Sequence, residues 1–179
     1  HHLKISNLLP KDVPYVVDPV MVATSGDKLI DDIARKHLKE EILPLATIIT
    51  PNVPEAEEIV NFKILTEDDV NRAGKFIIDE VGCKSVVIKG GHLTGEAKDY
   101  LFLNDGTKKV WTSERFKTNH THGTGCTFSA VIAAELAKGK SIIEAVDIGK
   151  KFITAAIKHT PELGHGNGPV NHIAFKGDL

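Results

Sequence analysis

A glycine-rich turn runs straight into an apolar helix at Thr121-His122-Gly123-Thr124-Gly125-Cys126-Thr127-Phe128-Ser129-Ala130, continued by Val131-Ile132-Ala133-Ala134. Glycines let a backbone come close to a ligand, and the first N–H groups of a helix have no internal acceptor. With the positive helix end, they favour an anion such as a phosphate. Cys126 stands at that end, where a thiolate is stabilised. A tight turn with Cys126 buried as a small hydrophobe fits the same residues, since Gly-x-Gly turns are common.

A second constellation is Thr50-Pro51-Asn52-Val53-Pro54-Glu55-Ala56-Glu57, after the apolar run Thr47–Thr50. Open α/β sheets bind ligands beyond the carboxyl ends of their strands. Asn52 and Glu55 are three apart across a helix start, so both can face one site, and oxygen ligands of this kind suit Mg²⁺. Asp18 ends its own apolar run and could join them. The alternative is plain helix capping by Asn52, with Glu55 favoured by the helix dipole. Lys89-Gly90-Gly91-His92 follows a third run, and Lys89 could reach a phosphate or simply mark a solvated strand end. His120, His122, His165 and His172 raise the idea of zinc, but their spacing matches no zinc pattern and no Cys pair accompanies them. Cys83, after Gly82, reads as structural.

Short apolar runs alternating with helical patterns indicate a layered α/β domain. Strands are expected at Tyr15–Val17, Thr47–Thr50 and Ser85–Lys89, the first two closed by prolines. The stripe Leu29, Ile33, Leu38, Ile42 and Leu43 predicts a helix through Asp31–Leu43. Pro54 opens a short helix to Val60, and Thr66 caps another that Gly82 ends. Asn104-Asp105-Gly106 between Asp99–Leu103 and Lys108–Thr112 predicts a hairpin toward a sheet edge. Helices follow at Thr127–Lys138 and Ile142–His159, and Gly164–Pro169 reads as a loop.

The chain has 179 residues, 41% of them hydrophobic and 26% charged, which fits one globular domain over residues 1–179. With 22 basic against 24 acidic residues the net charge is −2, so no field exists for nucleic acid or acidic lipid. Two cysteines cannot build a disulfide framework, and a reduced, cytoplasmic setting is expected. The longest apolar runs fall far short of the ~20 residues that a membrane span needs.

Asp18-Pro19-Val20-Met21-Val22-Ala23, Thr50-Pro51-Asn52-x-x-Glu55-Ala56, Val87-Ile88-Lys89-Gly90-Gly91-His92 and Thr121–Ala130 follow one another in that order. From about Val16 to Ala174 the chain resembles the hydroxymethylpyrimidine/phosphomethylpyrimidine kinases of thiamine biosynthesis, in the ribokinase-like superfamily. Gly164-His165-Gly166-x-Gly168-Pro169-Val170-Asn171-His172 is similar to that family's C-terminal segment. The resemblance implies a three-layer α/β/α sandwich with a mainly parallel sheet. It also implies ATP-dependent phosphorylation of the pyrimidine's hydroxymethyl group and then of the monophosphate, with ATP and Mg²⁺ as cofactors. Gly123, Thr124, Gly125 and Cys126 would form the anion hole, with Cys126 where most of the superfamily has an Asp base. Glu55, Asp18 and Thr50 would serve the metal. Lys89, Gly91, Asn52, Gly166 and Gly168 would lie toward the nucleotide. The segment after Val22, with Thr24-Ser25-Gly26, is expected to close over the phosphoryl group. A homodimer is the family's usual assembly.

Two other readings stand beside this one. Some pyridoxal kinases share the scaffold, although certain relatives carry a second Cys where this chain has Ala23. A non-catalytic nucleotide-binding remnant is the other. His1 opens the chain and Met21 is its only Met, so roughly eighty to ninety further residues are expected upstream by comparison with the resembled family. They would include the first strands and most direct pyrimidine contacts. The chain alone is then expected to show little kinase activity and to expose a sheet edge.

Overall fold

β-branched runs that end at proline or glycine form the first three strands of this chain, and side-chain-capped runs form α1, α2, α3 and α5. The computed structural model describes residues 10, 12–21, 29–90, 97–113, 116, 118, 120–161, 166 and 168–176. The chain divides into two compact units, His1–Thr112 and Ser113–Leu179.

The first unit is built on a five-stranded sheet in the order β1 (Val16–Val17), β2 (Ile48–Ile49), β3 (Ser85–Lys89), β4 (Ala97–Leu103) and β5 (Lys108–Ser113). β1 and β2 run parallel, with Val16 opposite Ile48 and Val17 opposite Ile49, and β2 pairs parallel to β3 through Ile49 and Val86. β3 and β4 are antiparallel, from Ser85 opposite Leu103 to Lys89 opposite Asp99. The described sheet is therefore mixed, with its parallel part in β1–β3. The connection from Lys89 to Ala97 is too short for the helical crossover that a parallel partner needs. The expected hairpin forms at the sheet's edge, with Gly106 at φ 88° and Asp105 Oδ1 accepting from Thr107 N–H at 2.8 Å.

Ile48, Ile49, Val86, Val87, Ile88 and Leu101 are fully buried. The helix expected over Asp31–Leu43 takes three geometries: α1 (Asp32–His37), a wide π turn at Leu38–Ile42 and a 3-10 turn at Leu43–Leu45. Leu29 and Ile33 are 55% and 71% exposed, so the forward half of the apolar stripe does not reach the core. Leu38 and Ile42 pack against the core and Leu43 lies within it. The turn widens where the stripe moves inward, and Pro44, having no N–H, stands in the 3-10 turn that closes this stretch.

α2 (Val53–Val60) starts at Asn52 and α3 (Glu67–Phe76) at Thr66, each with a reciprocal capping box. α3 continues as a π turn, Ile77–Val81, and stops at Gly82 with φ 84°. Gly74 lets this helix lie on β4, because a Cβ there would run into the Phe102 ring. Gly74→Ala gains up to about 1 kcal/mol of helix propensity. Overpacking costs about 1–3 kcal/mol, so the variant is expected to melt at a lower temperature in a thermal unfolding scan.

The second unit pairs α4 (Thr124–Ala137) with α5 (Ile142–Lys158). Gly149 allows the close approach, since a Cβ there would sit 3.0 Å from the Phe128 ring. Gly139, at φ 84°, and the Ser141–Glu144 capping box turn the chain between them. α4 begins at Thr124, three residues before the start read from the sequence, and so takes the glycine turn as its own N-terminus. Among the described residues no helix is long and apolar enough to cross a membrane.

Candidate active site

The carboxyl ends of β1, β2 and β3 place Asp18, Thr50 and Lys89 together in the first unit. The Thr50 hydroxyl donates to Asp18 Oδ1 at 3.1 Å, and Lys89 Nζ donates to the same oxygen at 3.2 Å. Thr50 is fully buried, and the side chains of Lys89 and Asp18 are 20% and 15% exposed. Lys89 N–H donates to Pro51 O at 2.9 Å, and Lys89 bridges Asn52, which ties the β3 end to the start of α2. Gly90 N–H donates to Asp99 Oδ1 at 3.2 Å, anchoring the next step of the chain.

Asn52 and Glu55 cap one another. Asn52 Oδ1 accepts from Glu55 N–H at 2.8 Å, and Glu55 Oε2 accepts from Asn52 N–H at 2.8 Å. The capping alternative for this pair is thus realised, and it buries Glu55 to 3% exposure beside the Asp18–Lys89 pair. Burial pushes the Glu55 carboxyl above its ordinary range; the Asn52 N–H and the Lys89 charge pull it back, while the Asp18 charge adds to the rise. The donor chemistry here is a carboxylate, a hydroxyl and a second, buried carboxylate whose Oε1 is outside the capping box. All are oxygen groups with an excess of negative charge, which fits a hydrated Mg²⁺. Asp18 and Glu55 would hold such an ion, with Thr50 orienting Asp18.

In the second unit, Gly123 precedes α4 at φ 84° and no side chain caps the helix. The Thr124 hydroxyl and N–H both turn back to Thr121 O, at 2.6 and 3.2 Å. The first full helical bond is Thr127 N–H to Gly123 O at 2.9 Å. The N–H groups of Gly125 and Cys126 come before it and have no intrahelical acceptor. Cys126 is exposed, not the buried hydrophobe of the alternative reading. The tail segment lies on this turn. His122 N–H donates to Gly168 O at 3.1 Å, and Val170 N–H donates to His122 O at 3.3 Å. Gly166 is exposed and Gly168 buried. A Cβ at Gly168 would collide with the His120 ring, whose Nδ1 is buried with no partner among the described residues.

One contact of this unit has no local sign in the sequence. Thr127 Oγ1 and His172 Nε2 are 2.9 Å apart, a bond between residues 45 positions apart that ties the tail to the first turn of α4. Asn171 fixes the same tail to the end of α5 through Ala156 O and His159 O, at 3.0 and 2.8 Å. Gly91, His165 and the Thr24-Ser25-Gly26 segment lie outside the described residues.

The two thiols differ sharply. Cys83 is buried, its Sγ 3.4 Å from Ser85 O, and burial pushes its thiol up to about 12. In a thiol titration of the native protein, one of the two cysteines, Cys126, is expected to react promptly. Cys83 should react only after denaturation. Two equally fast native thiols would mean that the packing around Cys83 is wrong.

Residues 4–171 match the phosphomethylpyrimidine kinase family model. A hydroxymethylpyrimidine/phosphomethylpyrimidine kinase of Staphylococcus aureus (strain MSSA476) is 56% identical over 167 residues, covering 92% of this chain and 60% of that protein. Among solved structures, a phosphomethylpyrimidine kinase from Clostridium difficile 630 is similar, with a TM-score of 0.72, 46% identity, and coverage of 87% of this chain and 60% of that one. An ADP complex of Bacillus subtilis pyridoxal kinase is similar with a TM-score of 0.78, 41% identity, and coverage of 89% and 58%. The chain therefore spans about three fifths of the length of these relatives.

Proposed function

The chain belongs to the phosphomethylpyrimidine kinase family, and from that membership we propose that it handles ATP, metal and phosphoryl group in a kinase phosphorylating hydroxymethylpyrimidine and then its monophosphate. The observation that carries this reading is the open helix start at Gly125-Cys126 with an exposed thiol at its edge.

Phosphoryl transfer asks the protein mainly for positioning and for charge stabilisation. Backbone N–H donors of Gly125 and Cys126 suit the oxygens of the transferring phosphoryl. Their geometry is set by Gly123 and by the Thr124–Thr121 turn before any substrate arrives. In its thiolate form, Cys126 Sγ accepts the proton of the substrate hydroxyl as that oxygen bonds to the γ-phosphorus and the bond to ADP breaks, ADP leaving with the electron pair. Lys89 binds a phosphate oxygen, and Gly166 and Gly168, the latter bonded to His122, lie toward the nucleotide. Asp18 and Glu55 would hold a Mg²⁺, whose charge would offset that of the phosphates. A cytoplasmic setting and a homodimer belong to the same reading.

Pyridoxal is the second substrate to consider, because the Bacillus subtilis neighbour is a pyridoxal kinase. Ala23 stands where some pyridoxal kinases carry a further Cys. ATP consumption is measured side by side on hydroxymethylpyrimidine and pyridoxal, in a protein of the relatives' length carrying this sequence. Faster turnover of the pyrimidine is expected. Faster turnover of pyridoxal would reassign the substrate, and nucleotide binding without turnover of either alcohol would point to a non-catalytic remnant.

A further inference from the structure

We propose that Lys89 is a resident counter-cation that competes with a divalent cation for Asp18, so that metal enters this corner when an anion draws the ammonium away. The proposal rests on the reading of Asp18 and Glu55 as the metal corner and says how that corner is regulated. Lys89 Nζ lies 3.2 Å from Asp18 Oδ1, the same oxygen that takes the Thr50 hydroxyl. With side chains only 20% and 15% exposed, the Lys89–Asp18 pair is weakly screened. Glu55, 3% exposed, lies close enough to feel both charges.

Three features turn this contact into competition. Two carboxylates and one ammonium share a poorly solvated corner, so a divalent ion arriving beside Lys89 meets direct repulsion at a low effective dielectric. The Lys89 backbone is pinned by its N–H bond to Pro51 O at 2.9 Å and its bridge to Asn52, so displacement must come from the side chain. A lysine stem is flexible and its ammonium carries three donors, which lets it move from a carboxylate to a phosphate oxygen without losing charge-assisted bonds. Metal and phosphate therefore help one another to bind, and metal alone is held weakly.

The test is a titration of Mn²⁺ against the nucleotide-free protein, followed by the electron paramagnetic resonance signal of free Mn²⁺. Lys89→Met is expected to bind Mn²⁺ about ten-fold tighter than wild type, and Asp18→Asn to lose that binding. Since Lys89→Met leaves two carboxylates unbalanced and could fail to fold, the same comparison is made between Glu55→Gln and Glu55→Gln/Lys89→Met. The amide there keeps an acceptor for Asn52 N–H, and a gain in the same direction is expected. Asp18-dependent Mn²⁺ binding of equal strength with and without Lys89 would overturn the competition while leaving the metal corner intact. An absence of Asp18-dependent Mn²⁺ binding in every variant would overturn both.

Discussion

Cys126→Ala is expected to lower kcat by about 10²–10⁴-fold while leaving nucleotide affinity close to wild type, the range typical of losing a positioned proton acceptor. The split follows from what the substitution removes. In the proposed function the transferring phosphoryl would meet the N–H groups of Gly125 and Cys126, and Ala supplies the same N–H from the same backbone. Gly123, the Thr121–Thr124 turn and the Thr127–His172 tie are untouched, and Ala is a good helix former. Only Sγ is lost. Cys126→Ser separates size from acidity, because the hydroxyl fills the place of the thiol yet holds its proton far more firmly. A low kcat in both variants with retained binding of an ATP analogue supports the role of the thiol. Wild-type turnover from Cys126→Ala would remove it.

Glu55→Gln is expected to act in opposite directions on stability and on catalysis. Folded Glu55 keeps its proton to higher pH than the unfolded chain does, chiefly because it is buried. The stability tied to this group is complete below the ordinary glutamate value of 4.5 and is lost as pH rises through the raised folded value. Gln does not titrate, and its side-chain oxygen still accepts from Asn52 N–H, so the capping box survives. Chemical denaturation at a series of pH values should show wild type losing stability relative to Glu55→Gln across that window. The variant should stay ahead at neutral pH. The Lys89 charge opposes this trend, but desolvation is the larger cause and sets the sign. Activity should fall by about 10²-fold or more, as expected when a charged group serving the phosphates is neutralised. A variant less stable than wild type at neutral pH would mean that Glu55 is held by attractions stronger than its burial penalty.

Much of this arrangement is legible in the sequence because its signals are local. Asn52 and Glu55 are three apart at a proline-opened helix, and the Asn104-Asp105-Gly106 turn announces its hairpin. The sequence leaves open whether Asn52 and Glu55 cap a helix or face a metal. The structure shows the capping, and it is the capping box that fixes a buried carboxylate at the strand ends. The contacts that complete each cluster are long-range. Lys89 and Asp18 are 71 positions apart, and Thr127 and His172 are 45 apart. Strand order and tail docking, which no local pattern encodes, bring them together. The π turns at Leu38–Ile42 and Ile77–Val81 are likewise invisible to a 3.6-residue period.

The proposed reaction is phosphoryl transfer from ATP to a pyrimidine alcohol at the Gly125-Cys126 helix start. Mass spectrometry follows the products formed from ATP and hydroxymethylpyrimidine by a protein of the relatives' length carrying this sequence. Successive appearance of the pyrimidine monophosphate and diphosphate, suppressed by Cys126→Ala, is the expected result. Unmodified pyrimidine after long incubation, or phosphorylation that proceeds equally without Cys126, would contradict it.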